Sequence, residues 1–397
     1  MQPNHPKRLS LNTRLLELTI FQGKKTLSMS ISQAPTPLSR LLPPLILGGA
    51  GFSHQVSRNP SSAQALQVLK RAFQLGLRAI DTSAYYHPSE IVLGEALAHP
   101  DITEHYTRDQ YLLMTKAGRI SANHFDYSPT WIRQSVLRSL ERLGTHYLDV
   151  VFCHDVEFVL EEEAMEAVGV LFDMVREGHI KYIGISGYRI DILTRLAQRV
   201  AEQYSQPLDV VQSWAQLTLQ NDRLAGEGLE AFRRAGVSCV CSSSPLAIGL
   251  LRDNGVPVGD LGDFHPAPAG LRSAAKRAAE YVAARGESLA GLALRYSIRR
   301  AQMESSLEFR VTTIMGITAV SELEANLEMA RRVLRDSDES GLLWATDAVC
   351  TAGDPHHGHE EEALYTAVQD ILGPWRNYSF PSPGDGWDVA TKQPVPT

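Results

Sequence analysis

From Pro44 onward the chain alternates short apolar or β-branched runs with longer segments in which apolar residues recur at the helical period. The short runs fall near 45–49, 78–82, 111–115, 148–153, 181–185, 208–212, 237–241 and 311–315. Runs of this length and composition predict buried strands of a parallel sheet. Between and after them the pattern predicts helices over 61–76, 89–98, 128–143, 160–177, 189–203, 223–235, 272–299 and 320–335. In the first helix, Leu66, Val68, Leu69, Ala72, Phe73 and Leu75 supply the apolar side. Eight strand-and-helix units with right-handed crossovers predict an α/β protein built as one (β/α)8 TIM barrel. A doubly wound dinucleotide fold would need a GxGxxG turn after the first strand. The early cluster Gly48-Gly49-Ala50-Gly51 lacks that spacing, so the doubly wound alternative is set aside.

Residues 244–271, between the seventh and eighth strands, are rich in Gly, Pro and Asp and read as a long loop on the catalytic side. The predicted barrel spans 44–340. A C-terminal extension over 341–397 is expected to pack on it, with a helix at 360–372 and then a Pro/Gly-rich stretch carrying Trp375, Tyr378, Phe380 and Trp387. Residues 1–43 read as an extension without fixed structure or a targeting segment. Over 1–44, Lys7, Arg8, Arg14, Lys24, Lys25 and Arg40 face a single acid, Glu17, a bias that also suits a mitochondrial transit peptide; Met29 is an alternative start.

Composition narrows the partners. Hydrophobic residues make up 44% and charged residues 21%, enough for a large core in water. The formal net charge of −7 argues against a general nucleic-acid binder, which needs a basic face for phosphates. No apolar run is long enough to cross a bilayer, so no membrane partner is expected. Cys153, Cys239, Cys241 and Cys350 show neither CxxC spacing nor a disulfide framework, which suits a reducing, cytoplasmic setting. The expectation is a monomer or weak homo-oligomer.

In such a barrel the reacting groups sit at the carboxyl ends of strands. The second strand ends in Asp81 and Thr82 and runs into Tyr85 and Tyr86; the third ends in Lys116; the fourth ends in Cys153, His154 and Asp155. Taken singly, a tyrosine at a strand end is usually a packing residue, a Lys–Asp pair a surface ion pair, and a histidine in an apolar run a satisfied core residue. Together, at successive strand ends, they make a proton-transfer site. An ammonium at Lys116 would lower the phenol's pKa, Asp81 would hold the lysine, and His154 would hydrogen-bond the substrate oxygen or pass the proton. No metal is needed.

The segment GLRAIDTSAYYHPSEIVLGEAL (76–97) resembles the signature of the aldo-keto reductase family, in which an Asp is followed five residues later by the catalytic Tyr, then by Ser-Glu and Leu-Gly. That spacing selects Tyr86. LLMTKAG (112–118) resembles the family's lysine strand and assigns Lys116. SLERLGTHYLDVVFCHDVEF (139–158) resembles its histidine signature and assigns His154. The resemblance covers about 44–335 and implies catalysis by Asp81, Tyr86, Lys116 and His154.

It also implies a nicotinamide cofactor site that includes Gly49, Ala50 and Asp81. KYIGISGYR (181–189) resembles the strand whose Ser and following Asn bind the carboxamide; Ser186 matches, but Gly187 replaces the Asn. VVQSWAQ (210–216) offers Gln212 for the same group, with Ser213 as the other candidate. SSPLAIGLL (243–251) resembles the pyrophosphate loop, with Ser244, Pro245, Leu246 and Gly249. Ser243 stands where the family often stacks an aromatic ring on nicotinamide, so that surface is expected to be lost. TIMGITAVSELEANLEMA (313–330) resembles the adenosine-binding stretch and maps the adenine contact onto Asn326. NADP-using relatives grip the 2′-phosphate with a Lys and an Arg where this chain has Gly316 and Glu322; a carboxylate repels phosphate but accepts hydrogen bonds from ribose, so the resemblance implies NAD rather than NADP.

The run His154-Asp155-Val156-Glu157-Phe158 looks most like the branch of L-galactose and D-arabinose 1-dehydrogenases. The implied reaction is oxidation of an aldose of D-arabinose, L-galactose or L-fucose type at C1 to a lactone. An NADPH-dependent aldehyde or ketone reductase is the alternative within the family, and a non-catalytic cofactor-sensing regulatory subunit the alternative of another class. His356, His357 and His359 with Glu360, Glu361 and Glu362 lack an H-E-x-x-H frame and read as a solvated turn opening a helix rather than a metal site.

Overall fold

The computed structural model describes residues 36–334, apart from 258, 260, 261, 263 and 264, and residues 355–394, apart from 385. Most of the expected N-terminal extension, Cys350 and the join between barrel and tail therefore lie outside the described residues. Among the described residues no helix is long and apolar enough to cross a membrane.

Eight strands close into a barrel: β1 (Leu45–Gly48), β2 (Ala79–Asp81), β3 (Leu112–Ala117), β4 (Leu148–His154), β5 (Ile180–Gly187), β6 (Val210–Trp214), β7 (Cys239–Ser243) and β8 (Arg310–Gly316). Each pairs in parallel with its sequence neighbours, and β8 closes the ring onto β1 through Leu45↔Thr313 to Gly48↔Gly316. This is the (β/α)8 TIM barrel that the hydrophobic pattern predicts.

Six connections carry helices near the expected places: α1 (Ser62–Gln74), α2 (Ser89–Leu97), α3 (Pro129–Arg142), α4 (Glu161–Arg176), α5 (Ile190–Tyr204) and α6 (Leu229–Arg234). Caps set their starts: Ser61 accepts the Gln64 N–H ahead of α1, and Ser128 accepts that of Trp131 ahead of α3, where Pro129 takes the first turn. The segment before α6, Leu224–Gly228, is a wide π turn rather than α-helix. The single helix expected over 272–299 is two, α7 (Ala269–Ala283) and α8 (Leu289–Met303). Gly286, at a φ of 76°, breaks the first, and the Ser288 side chain caps the second by accepting the Gly291 N–H. α9 (Val320–Arg331) follows β8, and α10 (Pro355–Leu372) lies in the tail.

The strands bury both faces. Ile46, Ala79, Met114, Val150, Phe152, Val210, Cys239, Cys241 and Ile314 fill the interior, while Leu47, Ile80, Val151, Ile183, Val211 and Val240 face the helices. Leu38 and Leu42 join the interior cluster at the floor, where Thr312 Oγ1 donates to the Pro43 carbonyl and the Tyr182 hydroxyl to that of Thr36. Residues 36–43, assigned from sequence to the extension, are thus part of the barrel's floor. Burial of two leucines, each contributing roughly 1.5–3 kcal/mol, holds them there.

A separate cluster joins α7 and α10 through Leu271, Ala275, Ala278, Tyr365, Val368 and Leu372. From α10 the chain runs over the mouth. Gln220 donates to the carbonyls of Trp375 and Tyr378, the Phe380 N–H donates to the Tyr188 hydroxyl, and Trp387 Nε1 donates to the Phe158 carbonyl. The histidine-rich run lies within the helix begun at Pro355, not in a turn before it. Glu361 and Glu362 there pair with Arg295 and Arg299. Among the described residues no cluster of His, Cys, Asp and Glu is arranged to hold a metal.

Candidate active site

Asp81, Lys116 and His154 stand at the carboxyl ends of β2, β3 and β4, three consecutive strands of the barrel. Lys116 is fully buried and donates to both Asp81 oxygens, at 2.8 and 2.7 Å, and to the Thr82 carbonyl at 2.9 Å. Its ammonium lies 5.2 Å from the centre of the Tyr86 ring. The His154 ring meets that of Tyr86 edge-on, with centroids 5.8 Å apart. The structure therefore brings the four expected residues to one place.

The local sequence explains how Tyr86 is aimed. The turn after β2 is closed by Tyr86 N–H to the Ser83 carbonyl, and Ser89 ties α2 to the turn after β1 by donating to the Gly49 carbonyl at 2.8 Å. Glu90 accepts from Thr115 on β3 and from Arg142 at the end of α3. A Cβ at Gly94 would lie 1.9 Å from the Arg142 carbonyl oxygen, so only glycine lets α2 sit this close to α3. The Ser-Glu and Leu-Gly part of the motif thus locks the turn that presents the tyrosine. Just past β3, Gly118 lies against the Tyr127 ring, whose hydroxyl donates to the His154 carbonyl at 2.6 Å.

The electrostatics correct one expectation. Burial pushes the Tyr86 phenol above its ordinary value, the carboxylates of Asp81 and Asp155 push it further, and Arg119 opposes them. The phenol is therefore raised rather than lowered as anticipated, burial outweighing the ammonium of Lys116, which is held by both Asp81 oxygens. Burial raises the Asp81 carboxyl, against the pull of Lys116 and of a hydrogen bond from Gln212. Burial drives His154 down to about 3, with Asp155 opposing and Lys116 and Arg119 assisting, so its imidazole stays neutral. Its Nδ1 is 3.0 Å from the Ser83 hydroxyl and its Nε2 3.6 Å from Asp155 Oδ2, a setting that favours the Nε2–H tautomer.

Residues assigned to the cofactor line the other side of the mouth. Strand alternation turns Ser186 and Gln212 inward, since Ile185 and Val211 face the helices. The same parity turns Ser213 outward, which removes it as the alternative to Gln212. Gln212 Oε1 is buried and has no hydrogen-bond partner, as an acceptor kept for an amide N–H would be. Gly49 and Ala50 form the turn after β1. Beyond β7, Ser244, Ala247, Ile248 and Gly249 all have φ between 48° and 95°, and a β-branched Ile248 there is a genuine outlier. Such strained backbone is retained where its amides serve a ligand, and successive turns of this kind cup anions. Pro245 and Leu246 lie within it. Glu322 and Asn326 sit one turn apart on α9, and Glu322 Oε2 accepts from both the N–H and hydroxyl of Thr318, at 2.7 and 2.6 Å. Gly316, just ahead, has open space where a side chain would go.

The profile of the Aldo/keto reductase family matches residues 44–341. The chain belongs to this family. D-arabinose 1-dehydrogenase of Saccharomyces cerevisiae is 39% identical over 287 residues, 72% of this chain and 82% of that protein. L-galactose dehydrogenase of Arabidopsis thaliana is 35% identical over 321 residues, 80% and 87% of the two chains. D-threo-aldose 1-dehydrogenase of a Pseudomonas species is 29% identical over 241 residues, 54% and 70% of the two. This aldo-keto reductase is an oxidoreductase.

The mouth holds residues that sequence reasoning passed over. Trp214 lies beside Ser243 in the strand register and packs on Tyr188, ring centres 4.3 Å apart, so an aromatic surface exists one strand away from where it was thought lost. Glu157 explains Gly187: a Cβ at that glycine would meet Glu157 Oε2 at 2.2 Å. Its Oε1 accepts from the Tyr188 N–H at 2.7 Å and from Ser382 of the tail at 2.9 Å. Burial, reinforced by Asp155, pushes its carboxyl up to about 8. The folded state then holds a proton that the unfolded chain releases near 4.5. Its stabilisation is complete below that value and fades as pH rises towards 8. Melting temperatures across pH 5–9 should show this decline, and Glu157→Gln should flatten it; an unchanged slope in the variant would place the titration elsewhere.

Proposed function

We propose that this aldo-keto reductase oxidises the anomeric carbon of an aldose to the lactone, with NAD accepting the hydride and Tyr86 the proton. The observation that carries the reading is the convergence of Tyr86 with the Lys116–Asp81 clamp and a neutral His154 at one rim. A bound nicotinamide dinucleotide supplies a hydride acceptor; the chain does the rest. His154 Nε2–H orients the hemiacetal oxygen, Tyr86 takes its proton as phenolate, and the C1 hydrogen leaves with its electron pair. Lys116, held by Asp81, keeps positive charge behind the phenol as it ionises. Gln212 Oε1 and Ser186 suit the carboxamide, and the strained loop after β7 suits the pyrophosphate. The relatives named as aldose dehydrogenases support the substrate class.

The raised phenol favours a second reading, since a protonated tyrosine is the acid that carbonyl reduction requires. A nicotinamide absorbance assay against a panel of aldoses and simple aldehydes, with both cofactors and in both directions, decides between them. NAD-linked oxidation of aldoses supports the proposal, and activity confined to NADPH and aldehydes overturns it.

The preference for NAD rests on Glu322 and Gly316. Gly316→Lys with Glu322→Arg should narrow or reverse it, since replacing repulsion by a charge-assisted hydrogen bond at a partly exposed site is worth about 2 to 3 kcal/mol, or about 30- to 150-fold in relative affinity. The empty space at Gly316 admits the lysine. The change should appear in the cofactor KM, because the 2′ position is remote from the hydride, and should weaken with salt. Equal use of both cofactors by the wild type would defeat the assignment.

A further inference from the structure

Immediately beyond His154 the chain makes an unusual turn: Asp155 has a φ of 58°, in the left-handed region that a non-glycine side chain disfavours. The turn points its carboxylate back across the mouth. Asp155 Oδ2 lies 3.6 Å from His154 Nε2 and 2.5 Å from Arg119 Nη1. The Asp155 side chain is only 4% exposed and that of Arg119 19%. Arg119 comes from the short hairpin Arg119–Ser121 and His124–Phe125, where its Nε and Nη2 donate to the carbonyls of Ser121 and Ala122. Its guanidinium lies 4.1 Å above the centre of the Tyr85 ring, and that ring is 5.8 Å from His154 and 5.9 Å from Tyr86.

A buried ion pair adds little to stability over an apolar pair of the same size, so its retention at a strained residue calls for another role. The place suggests which. An oxygen held by His154 Nε2 and Tyr86 has Asp155 within reach of the groups on the neighbouring carbon. A carboxylate there accepts from hydroxyls, a guanidinium donates to them, and the flat face of Tyr85 suits the C–H side of a sugar. An unfunctionalised carbon at that point would strip water from both charges and return nothing.

We propose that Asp155 and Arg119 are specificity-determining residues that bind the hydroxyl on the carbon next to the reacting one, so that the enzyme selects polyhydroxylated substrates. This rests on the aldose reading and names the part of the site that enforces it.

The test is the ratio of kcat/KM for an aldose over its 2-deoxy counterpart, measured with NAD on the wild type, Asp155→Asn and Arg119→Gln. D-arabinose against 2-deoxy-D-ribose, which is D-arabinose without its C2 hydroxyl, is one such pair. The wild type should favour the hydroxylated sugar by about 10² or more. In Asp155→Asn the ratio should fall to within a few-fold of one, through KM for the hydroxylated sugar; Arg119→Gln should fall part of the way. A purely structural role would weaken both sugars by one factor and leave the ratio unchanged, and that result in variants that still bind NADH by fluorescence overturns the proposal. If no aldose is oxidised, the aldose reading fails by itself. The same ratio is then taken in reduction, with glyceraldehyde against propanal: its collapse in Asp155→Asn supports the hydroxyl site and its persistence overturns it.

Discussion

Tyr86→Phe is expected to lower the turnover of aldose oxidation by about 10² to 10⁴, the usual contribution of a general acid–base group. The substitution keeps the ring that meets His154 edge-on and removes only the hydroxyl, so folding and NADH binding should persist. The pH profile sharpens the test. Burial and two carboxylates hold the phenol protonated at neutrality, so the wild-type oxidation rate should climb with pH, the base form being scarce until the medium is alkaline. The residual rate of the Phe variant should lose that climb. His154, neutral throughout the working range, adds no limb of its own. Tyr85→Phe is the register control, since Tyr85 carries the Arg119 guanidinium and is not the residue selected by the motif. A large loss in Tyr85→Phe with near-normal rates in Tyr86→Phe would show that the wrong tyrosine had been chosen.

Lys116→Met should destabilise the fold by about 3–5 kcal/mol, because it leaves the Asp81 carboxylate buried without its partner. Asp81→Leu should be comparably damaging, stranding an ammonium that is almost wholly enclosed. The double variant should recover much of the loss, since two apolar groups satisfy each other where one charge cannot. Urea unfolding of the four proteins checks this. Turnover should fail in all three variants, recovered stability notwithstanding, if the pair serves the chemistry. A double variant as unstable as the sum of the singles would mean that the two residues act independently.

The barrel was legible because a parallel strand buried on both faces shows itself as a short continuous apolar run, and all eight such runs became strands. Helix ends were legible where a cap or a glycine spoke. The join between α7 and α8 was hidden because the alanine-rich helical pattern runs through it, leaving Gly286 and Ser288 as weak signals. Asp81, Lys116 and His154 could be named because strand ends are where a barrel does chemistry, and the motif spacing fixed Tyr86. Strand parity, which separates Gln212 from Ser213, was not readable, because Val210 and Val211 are equally apolar and lie on opposite faces. Arg119 and Asp155 had no handle either: they meet across 36 residues through a hairpin and a left-handed turn that local sequence does not announce. The Tyr86 phenol was misjudged because the strand-end motif shows the neighbouring charges but not the burial that outweighs them.

The tail crosses the mouth with hydrogen bonds to Gln220, Tyr188, Glu157 and Phe158, none of which takes part in closing the eight-stranded ring. Scaffold and rim are therefore separable in this molecule. The ring and its clamp can stay fixed while changes in the tail reshape what enters the mouth.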